Sequence, residues 1–211
     1  MAPLVMTEPL YDLLAGNWSS TRSVASTGRE LYVLDADSHV YPVDPLSGDF
    51  GDSLGSFDGD HLVIANGVAH VLAGPAAVLG GRIFHVEDRA LYSLDPISGD
   101  HEQLDNSWDT RHLIAHGDHL FAWDADNALY RVDPETGATT QLANTWPHVG
   151  GVATAIGRLY AVEGGILYEV DPSTGACTVV ADRMRTRLLV GVGSSIYSFE
   201  TNGDLYRIGV G

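Results

Sequence analysis

Hydrophobic residues in this chain fall in short runs, each closed by Gly, Asn, Asp or Pro. Four such runs follow one another at His112 to His116, His119 to Asp124, Ala128 to Asp133 and Thr139 to Asn144. Runs of this length, rich in β-branched and aromatic residues and separated by turn residues, predict strands joined by tight turns. The segments Leu188-Leu189-Val190-Gly191-Val192 and Val152-Ala153-Thr154-Ala155-Ile156 are apolar without alternation, which predicts strands covered on both faces.

The pattern is periodic. Val40-Tyr41-Pro42-Val43-Asp44-Pro45-Leu46-Ser47-Gly48 returns as Leu91-Tyr92-Ser93-Leu94-Asp95-Pro96-Ile97-Ser98-Gly99, then as Leu129 to Gly137 and Leu167 to Gly175. Leu205-Tyr206-Arg207-Ile208-Gly209 is a fifth, shortened copy. The tyrosines stand at 41, 92, 130, 168 and 206, in steps of 51, 38, 38 and 38. A bulky apolar residue follows each of the first four by 16 positions, at Phe57, Trp108, Trp146 and Met184. The 13 extra residues of the first step therefore come after Phe57, at about 58–70, and read as a loop unique to one repeat.

Four antiparallel strands per 38-residue unit predict a propeller blade. Five units predict an all-β, five-bladed β-propeller, with residues 1–211 forming one domain. The fifth unit stops after its third strand, while residues 14–18 (Leu-Ala-Gly-Asn-Trp) mirror Leu142-Ala143-Asn144-Thr145-Trp146. An N-terminal strand at about 9–18, from Leu10 to Trp18, should complete the last blade and close the ring. Over nearly its whole length the chain resembles short-repeat bacterial β-propellers with the pattern Leu-Tyr-x-Val-Asp-Pro-x-Thr-Gly. The resemblance implies a fold and no particular activity, because similar propellers include sugar-binding lectins, interaction scaffolds and enzymes.

Composition narrows the partners. With 45% hydrophobic residues, 24 glycines and 18% charged residues, the chain should fold around a core with many tight turns. Eleven basic residues against 28 acidic ones give a net charge of -17, which repels phosphate backbones and anionic lipid alike. Neither nucleic acid nor membrane is expected as a partner. No apolar stretch approaches the ~20 residues needed to span a bilayer, and the opening residues lack a basic segment followed by an apolar one. The lone Cys177 excludes an internal disulfide and a cysteine zinc cluster. Together these features predict a cytoplasmic location.

Three columns of the repeat bear on chemistry. The Asp-Pro-x-(Ser/Thr)-Gly phrase reads as turn chemistry: proline presets φ, aspartate bonds the backbone two residues on, and glycine accepts a left-handed conformation. An acidic column ends the second strands at Asp35, Glu87, Asp124, Glu163 and Glu200, and arginines open three first strands at Arg22, Arg111 and Arg187. Counted from the turn glycines Gly28, Gly117 and Gly193, Arg22 should face Asp35, Arg111 should face Asp124 and Arg187 should face Glu200 across a hairpin. Those charges either pair structurally or line one mouth of the central channel. Glu87 and Glu163 have no matching arginine and, with His148, are the candidates for an asymmetric site. The third column is Trp18, Phe57, Trp108, Trp146 and Met184, whose tryptophans either wedge blades together or, if exposed, stack on sugar rings.

Other motifs lose force under geometry. His112, His116 and His119 suggest a metal, yet strand residues four apart stand ~13 Å apart, so they read as surface or turn histidines and no metal or cofactor is expected. Asp35-Ala36-Asp37 and Asp124-Ala125-Asp126 lack the central glycine and distal glutamate of a calcium loop. Gly51-Asp52-Ser53-Leu54-Gly55 matches two esterase signatures, but a nucleophile elbow needs a strand before it and a helix after it. Aligned with His101 to Asp105, it reads as the outer strand of the first blade. The leading expectation is a non-enzymatic binding module, using the face formed by loops after second and fourth strands. Its ligand would be a glycan, another small polar molecule or a protein. The rivals are a single-site enzyme using Glu87 or Glu163 as acid or base, and a protein-interaction scaffold.

Overall fold

Each tyrosine phrase forms the third strand of a four-stranded antiparallel sheet, and in the first four copies the Asp-Pro turn after it leads to the fourth. At Asp95, Oδ1 accepts from the amides of Ile97 at 2.8 Å and Ser98 at 3.2 Å, while the Gly99 amide donates to the Asp95 carbonyl at 2.9 Å. Gly99 has a φ of 78°, the left-handed conformation this turn requires. The same bonds recur at Asp44, Asp133 and Asp171.

The computed structural model describes residues 11–14 and 16–211. Strand β1 (Tyr11–Leu14) precedes the first blade, made of β2 (Thr21–Ser26), β3 (Leu31–Asp35), β4 (His39–Val43) and β5 (Gly55–Ser56). A hairpin follows, of β6 (His61–Ala65) and β7 (Val68–Leu72). The second blade is β8 (Ala76–Leu79), β9 (Arg82–Glu87), β10 (Ala90–Leu94) and β11 (His101–Asn106). The third is β12 (Thr110–His116), β13 (His119–Asp124), β14 (Ala128–Val132) and β15 (Thr139–Thr145). The fourth is β16 (Val149–Ala155), β17 (Arg158–Glu163), β18 (Ile166–Val170) and β19 (Cys177–Ala181). The fifth is β20 (Thr186–Val192), β21 (Ser195–Glu200) and β22 (Leu205–Gly209), completed by β1.

The ring closes as the repeat predicts. Strand β1 pairs antiparallel with β22, from Tyr11 opposite Ile208 to Leu14 opposite Leu205. Arg207 binds Asp12 across this pair, and the Trp18 amide donates to the Gly203 carbonyl at 2.9 Å. Leu10 and the residue before it, with Ala15, belong to the predicted N-terminal strand but lie outside the described residues.

Two expectations need correction. Residues 58–70 are not a loop: most of them form the β6–β7 hairpin, whose turn residues Asn66 and Gly67 take left-handed φ values of 51° and 77°. That geometry is what a two-residue hairpin turn demands, and Asn-Gly supplies it. The hairpin is a half-blade between the first and second blades. Leu62 and Ile64 pack on Leu34 and Val40, while Val63 and Ala65 pack on Ile83. The fourth strand of the first blade is also shorter than expected, because regular pairing covers only Gly55 and Ser56. Pro42 has no amide for the ladder, and Gly51 lies against its ring, so residues 50–54 follow β4 through isolated bonds.

Between blades, four members of the aromatic column are buried and the fifth, Phe57, is half-buried. Trp18 is 0% exposed, Trp108 6%, Trp146 4% and Met184 8%. Trp18 meets Phe199 edge-on at 5.3 Å and stacks on Phe50 at 4.6 Å. These side chains are wedges, so the tryptophans offer no face to a sugar ring. Around the ring, the first strands of the fourth and fifth blades approach most closely where glycines replace side chains. A Cβ on Gly191 would stand 1.9 Å from the Thr154 carbonyl oxygen.

Candidate functional site at the channel mouth

The first strand of every blade ends its sheet order, leaving one edge turned to a central channel. The hairpin adds a further lining strand, β6, so six strands surround the cavity of about 360 Å³.

At the start of four first strands the pairing register shifts by one residue; in the fourth blade the extra residue is Gly150, and in the first, third and fifth it follows a threonine. Thr21, Thr110 and Thr186 stand opposite Asp35, Asp124 and Glu200, and the residue after each threonine is a bulge. Those bulged residues are Arg22, Arg111 and Arg187. A bulge re-aims its side chain away from the ladder, which is why the expected pairs with Asp35, Asp124 and Glu200 do not form.

The acids serve the loops instead. Asp124 accepts from the amide of Asp109 at 3.0 Å, Glu163 from His148 at 3.0 and 3.1 Å, and Glu200 from Arg185, in each case a residue 15 positions earlier. Each carboxylate thus satisfies an amide of the loop that enters its blade. Asp35 caps the turn after its strand, accepting from the His39 amide at 2.9 Å. Glu87 is exposed, and neither it nor Glu163 lines the channel. Burial holds the Asp124 carboxyl above its ordinary range, with Asp126 and Asp109 adding to the effect and the Asp109 amide opposing it.

The arginines reach to the neighbouring unit of the ring. Arg22 donates to the Gly59 carbonyl at 2.8 Å and to Ser38 Oγ at 3.3 Å, with Asp60 at 3.7 Å. Arg111 donates to the Pro147 and Ala125 carbonyls, both at 3.3 Å. Arg187 donates to the Trp18 carbonyl at 3.0 Å and to the Thr21 carbonyl. All three line the channel as well. Arg22 Nε is buried with no hydrogen-bond partner among the described residues.

Two histidines complete the mouth: His61, which the sequence did not single out, and His112, which it assigned to the surface or a turn. His61 comes from the hairpin, and His112 follows the Arg111 bulge; both line the channel, so His112 is not a surface or turn residue. His112 Nε2 lies 3.2 Å from the Val149 carbonyl, to which it donates as a neutral ring. Burial pushes the His112 ring below its ordinary 6.5, helped by His61 and Arg111 and opposed by the bond to Val149. Burial lowers His61 likewise, against the pull of Asp60. The side chains that line the cavity include no aspartate or glutamate.

The remaining candidates lie elsewhere. His148 borders a separate hollow of about 230 Å³ with Arg185 and Thr186. Asp126 Oδ2 accepts from the Tyr130 hydroxyl at 2.7 Å, pushing the phenol up to about 12, and its Oδ1 accepts from the Ala128 amide. Ser53 sits in exposed chain with its Oγ on the backbone of Gly55, and no helix follows it among the described residues. No helix among them is long and apolar enough to cross a membrane.

No protein-family model matches the chain, and no curated protein is significantly similar to it. Solved structures share its fold. A protein of unknown function from Bacteroides thetaiotaomicron has a TM-score of 0.71 at 10% identity, covering 97% of this chain and 73% of the other. Glutaminyl cyclase from Myxococcus xanthus has a TM-score of 0.57 at 14% identity, covering 95% and 96%. PorZ of Porphyromonas gingivalis, a bacterial surface component of the type-IX secretion system, has a TM-score of 0.56 at 10% identity, covering 95% and 38%. Enzymes and interaction components therefore share this architecture, and identities this low establish the fold alone. The expected cytoplasmic location does not stand, since a surface component has the same fold. A single cysteine cannot form an internal disulfide in any compartment, so it never discriminated between them.

Proposed function

We propose that this propeller is a binding module whose working site is the arginine-lined mouth of the channel, where it takes one small polar ligand. The observation that carries this reading is the convergence of Arg22, Arg111, Arg187, His61 and His112 on one cavity of about 360 Å³. A volume of that order suits a small molecule, and convergent polar groups in a concave site fix its orientation. Glycan stacking on the tryptophan column has no support, because the indoles are buried. The acid-base reading of Glu87 and Glu163 is not favoured either, because both stand outside the channel lining.

A screen of small polar fragments, neutral and charged, followed by amide chemical shifts of the full chain, tests the proposal. Shifts should gather at residues 22–24, 61–62, 111–113 and 187–189. Shifts gathered between blades on the outer rim, or none from the whole panel, would refute it.

A second reading, a protein-interaction scaffold, has one observation in its favour. Strand β7 pairs only with β6, so its outer edge carries backbone donors and acceptors without a strand partner among the described residues. Such an edge can accept an extended peptide.

A further inference from the structure

The geometry points to an oxyanion, the carboxylate or phosphate group of a small molecule, as what Arg22, Arg111 and Arg187 hold at the channel mouth; this rests on the small-ligand reading above. The first reason is charge segregation. The chain carries 28 acids against 11 basic residues, all of them arginine, yet the cavity lining includes three of those arginines and no acid; Asp60, 3.7 Å from Arg22, stands exposed outside that lining. A cleft lined by one sign of charge focuses the field inside it, so this pocket is positive within a strongly negative molecule. Phosphate backbones remain excluded by the surrounding field, whereas a small anion fits inside the exception.

The second reason is preorganisation. Each guanidinium is fixed by backbone carbonyls of the neighbouring loop, at 2.8 Å for Arg22, 3.3 Å for Arg111 and 3.0 Å for Arg187. A guanidinium has five N–H donors, so these anchors leave others for a ligand. Arg22 Nε is a buried donor whose hydrogen bond no described residue accepts. Donors already held in place lose little side-chain entropy on binding, and guanidinium matches the two oxygens of a carboxylate or phosphate.

The third reason is the company these arginines keep. Burial holds His61 and His112 below their ordinary 6.5, and the one N–H of the neutral His112 ring is taken by the Val149 carbonyl, which leaves His61 as the histidine able to turn to a ligand. An anion bound at the mouth would favour protonated His61, so its binding should tighten as pH falls below the ordinary histidine value.

The test uses the full chain at low salt, reading the Arg Nε–Hε resonances while inorganic phosphate, citrate or glucose is added, with calorimetry alongside. Phosphate, citrate or both should move the Arg22 and Arg111 signals to saturation, lose affinity in added sodium chloride, and leave glucose without effect. A response to citrate alone assigns a carboxylate, and one to phosphate alone assigns a phosphate. Arg111→Gln, the most exposed of the three, should weaken the responding anion roughly tenfold with the melting temperature nearly unchanged. If Arg111→Gln does not fold, the wild-type resonances still decide. If glucose or another neutral fragment moves mouth amides while both anions leave every guanidinium unmoved, the anion inference fails and the small-ligand reading survives. If nothing in the wider fragment panel reaches the mouth, both fail.

Discussion

Arg187 donates a hydrogen bond to the main-chain carbonyl of Trp18, 3.0 Å away in space and 169 positions away in sequence. A second bond runs to the Thr21 carbonyl, so one side chain of the last blade grips the loop entering the first. Together with the β1–β22 pairing this seals the seam. Arg187→Leu should destabilise the protein by about 2–4 kcal/mol in urea denaturation, since hydrogen bonds to charged groups contribute ~1.5–3 kcal/mol and two carbonyls lose their donor. Arg187→Lys should recover only part, because one ammonium cannot reproduce the planar fork. An unchanged midpoint for Arg187→Leu would remove the clamp from the closure.

The approach of β16 to β20 gives a steric prediction. Gly191→Ala places a Cβ 1.9 Å from the Thr154 carbonyl oxygen, a backbone atom that cannot swing aside. It should cost at least ~3 kcal/mol or abolish folding, on the scale of severe overpacking. Gly209→Ala, with nothing within 4 Å of the added Cβ, should stay within ~0.5 kcal/mol of the parent. Equal melting temperatures for the two variants would contradict the observed packing.

Acid sensitivity follows from the buried histidines. His61 and His112 have folded-state values below the ordinary 6.5, so the unfolded chain binds more protons through that window. Their contribution to stability is present above about pH 6.5 and declines as pH falls below it. His112→Gln should flatten the decline between pH 7 and 5, read from urea midpoints. A steeper decline in the variant would show the sign to be wrong. The turn aspartates act lower: amides of Ile97 and Ser98 hold Asp95 below its ordinary 3.8, so its share is lost only as pH falls through that range.

The half-blade should behave as a packed element. Ile83→Ala should cost about 2–5 kcal/mol, because a fully buried isoleucine wedged against Val63 and Ala65 leaves a cavity. A double-mutant cycle of Ile83→Ala with Val63→Ala should give a coupling of at least ~0.5 kcal/mol, as contacting residues do. Strict additivity would mean that the hairpin merely covers the second blade.

The fold was legible because the repeat carries its own turn chemistry. Asp95, Pro96 and Gly99 name a turn type, and the mirrored segments ending at Trp18 and Trp146 name the closure. The hairpin was legible too, since Asn66-Gly67 sits between apolar runs, but having no counterpart in other repeats it read as a loop. The site was harder to see. Counting from Gly28 puts Arg22 opposite Asp35, yet one bulge residue exchanges Arg22 for Thr21 and turns the arginine toward the channel. Spacing cannot report a bulge that leaves the repeat length unchanged. His61 was hidden in the misread insertion, and its meaning depends on a ring of lining strands that only three dimensions define.

The most direct measurement is the number of molecules bound per chain at saturation, by calorimetry with citrate or phosphate, in the parent and in an Arg111→Glu variant that reverses one charge at the mouth. One molecule per chain, lost on the charge reversal in a protein that still melts cooperatively, is the expected result. Several equivalent molecules approaching one per blade, or binding indifferent to the reversal, would place the ligand outside the channel.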